Sequence, residues 1–68
     1  MDFRLQTEFI ELDNLLKATD LVASGAEAKQ RIQSGAVKVN GQVELRVRRK
    51  LKAGDVVDFN GSRIAVTA

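Results

Sequence analysis

The apolar positions change period along the chain, and each change predicts an element. Phe3 and Leu5 flank Arg4, an alternation that predicts a short N-terminal strand. From Glu11 to about Thr19 the spacing becomes helical: Leu12, Leu15 and Leu16 fall at i, i+3 and i+4 on one face. Asp20 closes that helix and Leu21-Val22 returns to the core. A second helix begins at Ser24, which caps it, with Glu27 three residues on to complete a capping box. Ala28 and Ile32 share its inner face, Lys29 projects away from that face, and Gly35 suits the left-handed residue that ends a helix.

The period then becomes two. Valines alternate on both sides of Asn40-Gly41, whose residues tolerate the positive φ of a two-residue hairpin turn. Val37, Val39, Val43 and Leu45 are expected to face inward. Continuing the alternation through Val47 turns Arg46 and Arg48 outward. Lys52-Ala53-Gly54-Asp55 reads as a turn. Val56 to Phe59 and Arg63 to Val66 read as strands joined at Asn60-Gly61-Ser62. The predicted fold class is α+β: two short helices packed on a small antiparallel β-sheet, with Phe3, Phe9 and Phe59 in the core. Residues 1–68 are read as one domain.

Composition narrows the chemistry. The 68 residues contain neither Cys nor His. That removes disulfides and thiolate metal sites, and with them the commonest general base and metal ligand. The carboxylates are scattered and form no catalytic pair, no Ser has a base beside it, and the glycines form no nucleotide-cradling loop. No enzymatic role, cofactor, metal or small-molecule substrate is expected. The N-terminus carries acids from its second residue and has no long apolar run, so neither a signal peptide nor a membrane span is expected and a cytoplasmic location is the default.

The net charge of +2 conceals a strong polarity. Residues 1–23 set Arg4 and Lys17 against Asp2, Glu8, Glu11, Asp13 and Asp20. Residues 38–52 set Lys38, Arg46, Arg48, Arg49, Lys50 and Lys52 against Glu44 alone. A polyanion responds to such a local field far more than to the net charge.

The ordered set Leu12-Asp13, Leu15-Leu16, Ser24-Gly25-Ala26, Ala28-Lys29, Ile32, Gly35, Val37, Val39-Asn40-Gly41 and Gly54-Asp55-x-Val57 resembles the S-four domain. This module, also called the alpha-L motif, is named after a small-subunit ribosomal protein. The likeness covers about residues 11–59 and is greatest to small stand-alone bacterial members, which share Ser-Gly-x-x-Ala-Lys and a Glu-x-Arg after the hairpin turn, here Glu44-Leu45-Arg46. The resemblance implies binding of structured RNA, rRNA or tRNA and with it the ribosome, through the second helix and the following hairpin. Two departures stand out. Ser24-Gly25 replaces the family's usual Ser-Arg, removing one basic contact. Arg31 replaces an apolar residue, and it either buries its stem or adds a charge to the site.

The candidate RNA-binding residues are Ser24, Gly25, Lys29, Lys38, Arg46, Arg48, Arg49 and Lys50, with Lys52 at the end of the basic run. Arginine forks match phosphate geometry, and self-repulsion among these cations has no obvious structural return. A helix start offers free N–H groups and the positive end of a dipole to a phosphate. Lys38 is either an extension of this surface or simply solvated, and Glu44 is expected to orient a neighbouring Arg. The absence of Trp and Tyr argues against a stacking platform for splayed bases and for recognition by phosphate, 2′-OH and shape. The expected state is a monomer. The alternatives are an adapter that docks an acidic protein, or a structural fragment of a larger assembly.

Overall fold

The computed structural model describes residues 1–68. In chain order these form β1 (Asp2–Arg4), β2 (Ile10–Glu11), α1 (Leu12–Ala18), α2 (Gly25–Gln33), β3 (Val37–Val39), β4 (Gln42–Val43), β5 (Lys50–Leu51), β6 (Val56–Phe59) and β7 (Ser62–Thr67). Five strands make one sheet in the order β1-β7-β6-β3-β4, while β2 and β5 pair as a separate ribbon. The class is α+β, as expected. The sheet, however, is mixed: β1 runs parallel to β7, with Phe3 beside Val66. Tight turns force β3–β4 and β6–β7 to be antiparallel, but both helices intervene after β1, so no turn dictates its direction.

Helix boundaries follow local chemistry. The Ser24 hydroxyl accepts from the Glu27 N–H at 3.2 Å, and the Glu27 carboxylate reaches back to the Ala23 N–H at 2.8 Å, one residue earlier than in a standard capping box. At the other end the Ala36 N–H bonds the Arg31 carbonyl and the Gly35 N–H bonds that of Ile32, with Gly35 at φ +84°. This is the Schellman pattern, and it requires the left-handed residue supplied by glycine. α1 ends as Asp20 takes φ +60°.

Leu12, Leu15 and Leu16 of α1 and Ala28 and Ile32 of α2 pack on Val37, Val39, Val57, Phe59, Ile64 and Val66 of the sheet, with Leu51 and Val22 completing the core. No helix is long and apolar enough to cross a membrane.

Two inward assignments fail. Val43 and Leu45 are exposed. The Asn40-Gly41 turn has two residues, so Val39 pairs with Gln42 and Lys38 with Val43. Residues directly opposite share a face, which puts Val43 outside with Lys38. The alternation does not continue as a strand to Val47: residues 44–49 lie outside any strand. Phe9 is the third correction. It is 38% exposed instead of buried, while Phe59 lies in the core and Phe3 packs against it.

Candidate nucleic-acid interface

The basic segment is an ordered loop built around one buried acid. Glu44 is 7% exposed. Its Oε2 accepts from the Arg46 N–H and Nε at 3.0 Å each, and its Oε1 accepts from Arg46 Nη2 at 3.0 Å and Arg49 Nη1 at 2.7 Å. Hydrogen bonds from the Arg46 and then the Arg49 guanidinium hold the Glu44 carboxyl far below the usual carboxylate range. The same carboxylate raises the Arg46 guanidinium above its ordinary value. Glu44 therefore gathers two like charges that would otherwise separate. Arg46 keeps three N–H donors for an external anion, and its side chain remains 73% exposed.

The loop also caps α1. Glu11 precedes that helix without a side-chain cap. Instead the Arg49 carbonyl accepts from the Leu12 N–H at 2.9 Å and the Val47 carbonyl from the Asp13 N–H at 3.1 Å. Two orphan donors of α1 are thereby satisfied and the loop is tied to the helical layer. β5 follows directly and pairs with β2, Ile10 opposite Leu51 and Glu11 opposite Lys50, so both ends of the loop are anchored. A third tie lies beyond it. Asn40, in the first hairpin turn, donates to Asp55 Oδ1 at 3.0 Å and accepts from the Val56 N–H at 2.9 Å. Asp55 also accepts from the Lys52 N–H at 2.8 Å, and that bond is the main reason its carboxyl lies below the ordinary value.

A groove of about 520 Å³ opens between the helices and the loop, lined by Asp13, Lys17, Gly25, Lys29, Val47 and Arg48. Arg48 also borders the adjoining depression formed by Arg46, Arg49, Lys50, Lys52 and Asp55. Arg48 is the residue common to both, so Lys29 of α2 and the loop arginines line neighbouring hollows. Lys17, Lys29 and Arg48 form no ion pair; the four in the chain involve Arg31, Arg46, Arg49 and Arg63. Ser24 is occupied as the helix cap. The Lys17 ammonium lies close to Gly25, where a Cβ would meet its Nζ in ordinary contact at 3.7 Å. Lys17 did not emerge as a site residue from the sequence. It sits in the acidic N-terminal third, and only the packing of α1 on α2 brings it to Gly25. Its one signal was its place off the Leu12–Leu16 stripe.

Two other cations lie elsewhere. Lys38 is on the outer face of the sheet, opposite Asp58, and borders a depression with Asp58 and Asn60. Arg31 is exposed and pairs with Glu27 at 3.9 Å, facing away from the groove toward Leu21 and Phe59.

These features coincide with a known module. The S4 domain family model matches residues 3–67, and the chain belongs to that family. YbcJ of Escherichia coli (strain K12) is 48% identical over 59 residues, covering 87% of this chain and 84% of YbcJ. RlbA of Bacillus subtilis (strain 168), named "Probable ribosome maturation protein", is 40% identical over 57 residues, covering 84% of this chain and 80% of its own. The solution structure of E. coli YbcJ, described as revealing an alpha-L motif involved in RNA binding, superimposes with a TM-score of 0.75 at 44% identity. The match covers 98% of this chain and 86% of that one.

Proposed function

We propose that residues 1–68 act as one non-catalytic module that binds structured RNA, ribosomal RNA foremost, across the groove between α2 and the 44–49 loop. The observation that carries this reading is the meeting of Lys17, Lys29 and Arg48, from three different elements, in one groove that runs on into the loop. Unpaired cations held together have a cost in the folded chain that an anionic ligand removes. The Gly25 and Ala26 N–H groups at the start of α2 add donors for a phosphate. Lys17 takes the place of the basic residue absent at Gly25. Arg46, Arg49 and Lys50 extend the surface; Lys38, across the sheet, lies outside it. Membership of the S4 family and the RNA-binding motif of YbcJ support the ligand class, and the name of RlbA favours ribosomal RNA over transfer RNA.

The test is crosslinking of the protein to RNA in cells, followed by sequencing of the attached fragments. Enrichment of rRNA, lost in a folded Lys29→Ala/Arg48→Ala variant, is the expected result. Crosslinks to acidic proteins and none to RNA would favour the adapter reading instead.

A further inference from the structure

Phe9 is a large exposed apolar side chain beside the proposed RNA surface. It immediately precedes β2, and extending the β2–β5 register by one residue sets it opposite Lys52. Ile10 packs toward the core opposite Leu51, which is fully buried, so Phe9, Lys50 and Lys52 share the outward side of the ribbon. The Lys50 ammonium lies 4.9 Å from the Phe9 ring centroid. Lys50 in turn borders the depression formed by the loop arginines. The Thr7 hydroxyl bonds the Phe9 carbonyl at 2.9 Å and fixes the backbone that presents the ring.

We infer that Phe9 is a stacking site for one unpaired nucleobase of the bound RNA, whose flanking phosphates are held by Lys50 and Lys52. The inference rests on the RNA reading above and adds a second class of contact to it. A ring's π-face accepts any base, so stacking here is tolerant of sequence. The ammonium now over the ring is no obstacle. A solvent-exposed cation–π contact is weaker than base–aromatic stacking, and a displaced Lys50 can turn to the incoming phosphate. The RNA recognised is accordingly a duplex with a bulge, junction or tail: the paired part lies along α2 and the loop, and the unpaired nucleotide reaches the ribbon. This revises the expectation that three phenylalanines without Trp or Tyr leave no platform. One of the three is outside the core.

The experiment compares a blunt RNA duplex with the same duplex carrying a short unpaired tail, titrated at low ionic strength. For the wild type the tail is expected to tighten binding about fivefold or more. Phe9→Leu keeps an apolar side chain at the ribbon, and it is expected to cut that increment to the small share due to the Lys50 and Lys52 phosphate contacts while leaving blunt-duplex affinity unchanged. Phe9→Tyr is expected to restore the increment. The chain has no Trp, so Phe9→Trp supplies a single fluorophore, quenched by the tailed RNA and not by the blunt one. Equal affinities for the two RNAs, or a tail effect undiminished by Phe9→Leu, would overturn the stacking site. Failure of the wild type to bind either RNA would overturn the RNA reading itself, and the two failures are distinct.

Discussion

At the scale of single residues, Glu44 does the most organising. A lone acid in a stretch of six cations reads as a minor offset in a charge count, yet it is the one buried charged residue. Its role as an orienter of arginine was legible from sequence. That it binds both Arg46 and Arg49 was not, because Arg49 returns only through the turn in which its N–H bonds the Arg46 carbonyl at 3.3 Å. Arg46 is therefore part of the scaffold as well as of the surface, and Arg48, which has no carboxylate partner, is the cleaner probe of binding. Glu44→Gln is expected to lower the melting temperature at neutral pH and to weaken RNA binding by releasing both guanidinium groups. A pH series separates this from a simple packing loss. Glu44 and Asp55 both have carboxyls held below their ordinary values, so the stability they add is present above those values and is lost as pH falls. The wild-type melting temperature should be level between about pH 5 and 7 and decline below the ordinary Glu value of 4.5. Glu44→Gln should flatten much of that decline, and an unchanged acid slope would contradict the role given to Glu44.

Among the elements, the second helix was the most legible, because its signals are local: a Ser24 cap, the Glu27 return and a left-handed Gly35. Ser24→Ala should cost about 1 kcal/mol, measurable as a fall of about 4–8 °C in melting temperature. The hairpin was legible as a turn but not in its facing. Valines counted outward from Asn40-Gly41 look symmetrical, whereas a two-residue turn pairs Val39 with Gln42 and sends Val43 outside. The β2–β5 ribbon and the loop that caps α1 had no local signal at all. Both depend on chain segments about forty residues apart, and two-residue strands leave almost no periodicity to read. Their contribution is nonetheless substantial. Leu51 is fully buried beneath the ribbon, and Leu51→Ala should cost about 2–5 kcal/mol in denaturant unfolding, with the loop disordered as a consequence. A loss below about 1 kcal/mol would mean that the ribbon is peripheral to the fold.

For the whole molecule, the cations that share a groove are not the ones a linear reading of charge suggests. Lys38 belongs to the basic run but ends up across the sheet beside Asp58. Lys17 belongs to the acidic third but ends up against Gly25. Linear charge runs locate a field, and only the packing of α1, α2 and the loop determines which cations share it. Removing Lys38 should therefore change RNA affinity little, by less than about threefold, while removing Lys17 should weaken it by about tenfold, a cost on the scale of one charge-assisted contact. The most direct measurement is the salt dependence of RNA affinity for the wild type and for Lys29→Ala/Arg48→Ala, both verified as folded. With three to five phosphates engaged, log K for the wild type should fall with log[salt] at a slope of about −2 to −5, and the double variant should bind more weakly with a slope shallower by about 2. Equal slopes and equal affinities for the two proteins would show that RNA does not lie in the groove between α2 and the loop.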